Sequence, residues 1–252
     1  MAYGPLWSLA VEEQYYLVWP LVVRKLNVRL LFWITATVFV YSALIRGLAF
    51  YMGHPKGIDW YTWYVLDGLA AGSILAIVLR GSMDRSQVRL LCISLIGVSI
   101  AMALVGAPYG ILTRERLLGA AVQFSVVHIF FAGVLLFFLL IGTSKHRAWV
   151  NNRLLGFFGY ISYGLYLFHF LVFRIYDKVC AHYFPQLQPA DWRFDLVVLR
   201  FVIGGGVATG IAFLSRRYYE AIFLQMKEKF TPRSRSPKIS SDPLVRAVAA
   251  SE

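Results

Sequence analysis

Charge is scarce in this chain. Asp, Glu, Lys and Arg make up 15% of its 252 residues, against about 25% in a typical soluble domain. That scarcity excludes a water-soluble globular domain, whose surface needs more charge. Acids are scarcest of all, with 13 Asp and Glu against 25 Lys and Arg and a net charge of +12. Cysteine is limited to Cys92 and Cys180, too few for a disulfide-rich scaffold. With no CxxC or HxxxH spacing there is no metal framework either. The sequence also has no signal-peptide pattern of basic n-region, short apolar stretch and small-residue cleavage site. No basic stripe on a soluble fold carries the positive charge, so nucleic acid is not an expected partner.

What the chain has is hydrophobicity: 59% apolar residues, 16% aromatics and a mean hydropathy of +0.62. Aromatics at that level fit the Trp and Tyr belts of a bilayer interface. Seven apolar runs stand out, at about Leu6 to Val23, Leu30 to Phe50, Tyr61 to Leu79, Leu90 to Ala107, Leu117 to Ile141, Leu154 to Ile175 and Leu196 to Leu214. Most are near the ~20 residues that a helix needs to cross a bilayer core. A transmembrane barrel would show short alternating segments instead. The expected fold is therefore all-α, a polytopic transmembrane bundle of about seven helices with a lipid bilayer as its surroundings.

The basic residues orient it. If the loop holding Arg24, Lys25 and Arg29 lies inside, the inside segments collect 17 Lys and Arg and the outside loops five, with Arg46, Arg174 and Arg200 within helices. The positive-inside rule then puts the N-terminus out and the C-terminus in. Should its acids hold the first helix at the interface, the N-terminus moves inside. Cys92 and Cys180 fall on opposite faces, too far apart for a disulfide. The expected division is a transmembrane domain over residues 1–224 and a basic cytoplasmic tail over 225–252, whose Pro-, Ser- and Arg-rich composition reads as disordered.

Polar residues inside the apolar runs are functional candidates, because a charge at mid-membrane costs roughly 2.5 to 3.5 kcal/mol. Glu12 and Glu13 fall in the outer half of the first run, Arg46 near the outer end of the second and Asp67 about two turns into the third. His169 and Arg174 lie near the outer end of the sixth, and Arg200 near the outer end of the seventh. Such charges pair or line a water-filled cavity, so an outward-opening polar cavity is expected. The arginines can equally snorkel to the headgroups, and the sequence leaves both open. Ser8, Glu12, Tyr15 and Trp19 share one helical face, with Glu13 more peripheral. Ser162, Tyr166 and His169 form a second stripe, suited to binding a hydroxylated substrate with His169 as acid or base; interfacial anchoring of the helix end is the alternative. His128, without polar neighbours in sequence, reads as a packing histidine satisfied by an adjacent helix.

Two of these segments carry a resemblance. The run LWSLAVEEQYYLVWP (residues 6–20) resembles the WSLxxE signature of the acyltransferase 3 family, and GYISYGLYLFH (159–169) is similar to its SYxLYLxH segment. Asp67-Gly68-Leu69 with Gly72 resembles its DxLxxG helix, and Arg217-Tyr218-Tyr219-Glu220 its terminal aromatic-Glu element. The resemblance runs to about Leu224. It implies a bacterial inner-membrane enzyme that takes an acyl group, often acetyl, from cytoplasmic acyl-CoA. The group goes to a hydroxyl of a carbohydrate acceptor, a cell-surface or exported glycan. It needs no metal. Carried over by motif match, Trp7, Ser8, Glu12, Ser162, Tyr166, His169 and Glu220 become candidate functional positions. With Tyr15, Asp67 and Arg200 from the polar pattern, Glu12 and His169 are the expected catalytic residues. Trp7, Ser8, Tyr15, Asp67, Ser162, Tyr166 and Arg200 are the expected substrate contacts, and Glu220 is a structural motif residue.

The departures are specific. The family's principal catalytic histidine and an Arg motif precede the matched region, whereas this chain aligns from what would be the fourth of about ten helices. It is therefore expected to be a C-terminal portion with little or no acyl transfer by itself, which the upstream coding DNA tests. An Arg two residues before the Asp67 position is Val65 here, removing a salt-bridge partner. A Pro two residues after the His169 position is Leu171, straightening a helix end. Two other classes stay open: a small-molecule transporter or export protein, which broken helices or inverted repeats would favour, and a catalytically inert remnant.

Overall fold

A computed structural model describes residues 6–142, 152–187, 193–223 and Met226. All regular structure among them is helical. Each of the seven apolar runs coincides with helix: α1 (Leu6–Lys25), α2 (Val28–Tyr51), α3 (Thr62–Val65) with α4 (Asp67–Leu79), α5 (Arg85–Gly106), α6 (Leu117–Gly142), α7 (Arg153–Tyr183) and α8 (Phe194–Leu214). The third run is split, with α3 ending at Val65, Leu66 between the two helices and α4 starting at Asp67. Apart from Met226, the basic tail and the loop holding Lys145 and Arg147 lie outside the described residues.

Five helical stretches are long and apolar enough to cross a membrane: Val28–Tyr51, Arg85–Tyr109, Leu117–Gly142, Arg153–Tyr183 and Phe194–Phe223. The chain is a multi-pass membrane protein. The 13-residue α4 rises only about 20 Å, short of a ~30 Å hydrocarbon core, and α1 carries Glu12 and Glu13. Leu17, Trp33, Leu44, Leu104, Phe131 and Phe201 are exposed along the helices. Apolar side chains facing outward belong in lipid, where the backbone must be satisfied within its own helix.

Local signals start the helices. Asn27 accepts from the Leu30 amide at 2.8 Å to begin α2, and Asn152 from the Leu154 amide at 2.6 Å to begin α7. Asp84 and Gln87 form a reciprocal capping box at α5, satisfying two donors that the first turn leaves open.

The described residues divide into two compact units, the first made of 7–142 and the second of 152–187, 193–223 and Met226 together with Leu6. In the first, α2, α4 and α6 pack against one another and α5 packs on α6. Leu75, Val88, Cys92 and Leu136 form one buried cluster; Ala49, Ile58 and Ala120 form another. The Cys92 thiol donates to the Gly133 carbonyl at 3.3 Å. Helix α1 is tied to the bundle by a Tyr15–Ser73 hydroxyl contact and by Thr62 donating to Gln14 Oε1 at 2.9 Å.

In the second unit α7 packs along α8. Ile161, Gly164, Val172 and Cys180 are buried on α7, and Leu196, Gly204, Ala208 and Ala212 on α8. Gly164 lets the helices touch: a Cβ there would sit 3.3 Å from the Ala212 Cα and carbonyl oxygen. Small residues at a helix crossing permit this approach in lipid. Helix α7 runs unbroken through Leu171 to Tyr183, and α8 leads into one π-helical turn, Ser215–Glu220. Both cysteines are free and buried.

Candidate functional site

The break between α3 and α4 organises the most polar part of the first unit. It releases the Tyr64 carbonyl from helical bonding and puts Asp67 in the first turn of α4. Arg46 fills the gap from α2. Its Nη1 donates to the Tyr64 carbonyl, its Nε to the Ala121 carbonyl of α6 at 3.0 Å, and its Nη2 to Asp67 Oδ2 at 2.8 Å and to Ser125 Oγ at 2.9 Å. The Ser125 hydroxyl donates to the same Asp67 oxygen at 2.7 Å. Arg46 and Asp67 are both at 0% exposure. Of the two outcomes left open for Arg46, snorkelling is excluded. The basic partner that Val65 does not supply comes from Arg46 on the neighbouring helix.

Asp67 Oδ1 is left facing α6. His128 Nδ1 stands 3.4 Å from it, and neither atom has a hydrogen-bond partner within geometric limits among the described residues. The imidazole stacks on Phe124 at 6.2 Å, and Arg114 lies over the same phenyl ring at 4.4 Å. The opposite edge of the imidazole lies over Gly68, where a Cβ would come within 3.0 Å of Nε2. Sequence reading took His128 as a packing residue and passed over Ser125. The signal that marks them is their i, i+3 spacing on one face of an otherwise apolar helix.

Two clefts flank the break. One, of about 500 Å³, is walled by Trp7, Val11, Gln14, Trp60, Tyr61 and Trp63, with Thr62 and Leu66. The other, of about 640 Å³, runs from Gly68 and Leu69 past Tyr15, Trp19 and Ser73 to Arg24 and Arg80. Ser8, Glu12, Tyr15 and Trp19 are half-buried, while Glu13, Tyr16 and Leu17 are exposed, matching the helical face expected for α1. Tyr15 and Trp19 stack at 5.1 Å. Trp7 and Tyr15 line the clefts, and Asp67 lies behind their wall.

In the second unit, Ser162 and Tyr166 are exposed on α7, away from the buried Ile161 and Gly164. The Ser162 hydroxyl donates to the Gly159 carbonyl at 2.9 Å. His169 Nδ1 lies 2.6 Å from the Tyr166 carbonyl and 3.2 Å from that of Leu165. Carbonyls only accept, so Nδ1 is the donor toward them. Arg200 pairs with Asp177 in bidentate fashion, at 2.7 and 2.8 Å, because α7 continues past its expected end at Ile175 and carries Asp177 to it. Glu220 accepts from Arg216 at 3.0 Å within the π-turn, and Arg216 lies 4.9 Å from the Tyr160 ring. The Gly159–His169 and Arg217–Glu220 motif segments therefore adjoin.

Residues 1–217 match a family model described as an acyltransferase domain, acyltransferase 3. The chain belongs to the acyltransferase 3 family. Neither a curated protein nor a solved structure matches it. Membership makes it a membrane acyltransferase, and an acyltransferase implies an acceptor. The motif residues that suggested the family lie in both units. The buried Arg46–Asp67–Ser125 cluster draws on three helices of the first.

Proposed function

We propose that this acyltransferase 3 protein transfers an acyl group, acetyl foremost, from acyl-CoA to a hydroxyl of a cell-surface or exported glycan. It acts as a seven-span protein of the inner (cytoplasmic) membrane, N-terminus out and C-terminus in. The match over residues 1–217 carries the acyl-transfer part. Its finer terms draw support from the clefts. Trp7, Trp60, Tyr61 and Trp63 offer flat aromatic faces against which the C–H faces of a sugar ring stack, and Gln14 and Thr62 supply polar atoms for its hydroxyls. Arg24 and Arg80, at the far end of the other cleft, are suited to the phosphates of a CoA. Leu66 walls one cleft and Gly68 the other, which supports a meeting of acceptor and thioester beside the α3–α4 break.

Glu12, Ser162, Tyr166 and His169 remain the proposed motif contributors, with Ser8 and Tyr15 on the substrate-facing side of α1. The Asp177 pairing leaves Arg200 a positioning role in the second unit in place of a free cationic contact.

The test uses the full chain in phosphatidylethanolamine–phosphatidylglycerol nanodiscs, with [14C]acetyl-CoA as donor and glycan from the source cell envelope as acceptor. Base-labile label on the glycan is the expected result; label that stays on CoA refutes it. One observation favours a second reading: a helix broken at membrane depth is common in small-molecule transporters. Uptake or efflux by proteoliposomes without any acyl transfer would select it.

A further inference from the structure

The 640 Å³ cleft of the first unit is charged at one end and bare in the middle. Arg24, in the last turn of α1, and Arg80, the C-cap of α4, both line it. Both are exposed, and neither guanidinium is paired among the described residues. Two unpaired guanidinia on one cleft suit phosphate oxygens. Beyond them Gly72 lines the cleft, is exposed, and would meet no atom within 4 Å if it carried a Cβ. A larger side chain at 72 therefore takes up cleft volume and displaces no protein. Opposite, Tyr15 and Trp19 of α1 supply the wall. The Ser73 hydroxyl donates its one proton to the Leu69 carbonyl at 2.9 Å, so in the Tyr15–Ser73 contact the phenol is the donor. The phenol oxygen keeps lone pairs to accept from a ligand N–H.

We propose that this cleft is the channel for the phosphopantetheine arm of the donor, entered at Arg24 and Arg80, with Gly72 setting its bore. This deepens the acyltransferase reading above and rests on it. Length supports it. From Gly68 to Arg80 the helix rises about 18 Å, and an extended phosphopantetheine arm reaches about 15 Å from phosphorus to sulfur at the span per bond of an extended chain. With the phosphates on the arginines, the thioester comes to rest near Leu69, next to the α3–α4 break. The arm carries two amides, and Tyr15, about midway, accepts from one of them. In the orientation proposed above both arginines lie on the cytoplasmic side, where acyl-CoA is found. Gly72 thus determines whether an arm passes, while the arginines hold the nucleotide end.

The experiment measures the affinity of the full chain in nanodiscs for two probes, CoA and adenosine 3′,5′-bisphosphate, which keeps the phosphates and lacks the arm. Gly72→Leu is expected to weaken CoA by at least about 10-fold and to leave the bisphosphate within about twofold. Its fold is safe, since Leu is the better helix former. Gly97→Leu is the control: Gly97 also has open space around it, on α5 and away from the cleft, so both affinities stay at wild type. Arg24→Gln/Arg80→Gln weakens both probes, by about 10-fold or more. Tyr15→Phe weakens CoA alone, by about 2- to 10-fold. Wild-type CoA affinity in Gly72→Leu, or equal loss of both probes, overturns the channel, and the acyltransferase reading stands if that variant still labels glycan. CoA bound as predicted by a wild-type chain that transfers nothing keeps the channel and removes the acyltransferase reading. A wild-type chain that neither binds CoA nor transfers removes both.

Discussion

The two units hold the same kind of ion pair in different surroundings. Arg46–Asp67 in the first spans 2.8 Å with both side chains at 0% exposure, while Arg200–Asp177 in the second spans 2.7 Å with 31% and 44% exposure. Distance does not separate them; what is left behind when one partner goes does. Bereft of Asp67, Arg46 keeps two backbone carbonyls and Ser125 but has an unneutralised charge sealed from water. Bereft of Asp177, Arg200 still has surface and the Phe173 ring at 4.6 Å. The first unit is knit by polar groups that cannot be removed singly. The second is knit by small residues, with its charges at the periphery.

The largest effect breaks this comparison at its centre. Arg46→Met or Asp67→Leu alone is expected to cost about 3–5 kcal/mol, because each strands a buried group. The Arg46→Met/Asp67→Leu double variant is expected to cost less than either, since no charge is then left unpaired. It will not recover fully, as the Tyr64 and Ala121 carbonyls lose their donor. Unfolding free energies in bicelles titrated with detergent measure all three. A single-variant cost under about 1 kcal/mol would mean that water reaches the pair and that the units do not differ.

Next comes the second unit's helix contact. Gly164→Val puts a side chain where backbone atoms of Ala212 stand 3.3 Å from its Cβ, an overpacking expected to cost about 1–3 kcal/mol. Gly156→Ala, with open space around it, is the control and is expected to stabilise α7 by roughly 0.5–1 kcal/mol through helix propensity. Equal effects at the two glycines would show that α7 and α8 do not rely on close approach. Arg200→Gln follows at about 0–1 kcal/mol, the range of an exposed pair. A loss as large as that of Arg46→Met would put Arg200 in surroundings like those of Arg46.

The helical runs were legible in the sequence because length and hydropathy alone decide what a bilayer accepts. The α1 face was legible too, since Ser8, Glu12, Tyr15 and Trp19 follow from helical spacing. The split of the third run was not. No Pro or Gly lies in the segment from Tyr61 to Leu66, and the break depends on Arg46 arriving from another helix to satisfy the Tyr64 carbonyl. The Asp67–His128 couple was hidden for the same reason: its members are far apart in sequence, and only packing of α2, α4 and α6 joins them. Asp177 drew no notice because the apolar run stops at Ile175, whereas the helix continues for two more turns to Tyr183. Periodicity shows which side of a helix is polar; it does not show which helix that side meets.

The smallest effect sharpens the contrast within the first unit, between its sealed aspartate and one at its watery edge. Asp84, the exposed cap of α5, accepts from the Gln87 amide and the Ser86 hydroxyl, both at 2.8 Å. The Gln87 amide foremost, then the Ser86 hydroxyl, holds its carboxyl below the usual 3.8. A carboxyl depressed in the folded state contributes stability that is present above its unfolded value and lost as pH falls through its folded one. Asn also caps helices well but does not titrate there. Wild type is therefore expected to unfold slightly later than Asp84→Asn, by a margin that is constant above about pH 5 and closes below pH 4. Thermal unfolding of both proteins from pH 7 to pH 3 reads the margin directly. A margin that widened on acidification would mean that the protonated carboxyl is the better cap, and that the amide and hydroxyl do not favour its charged form.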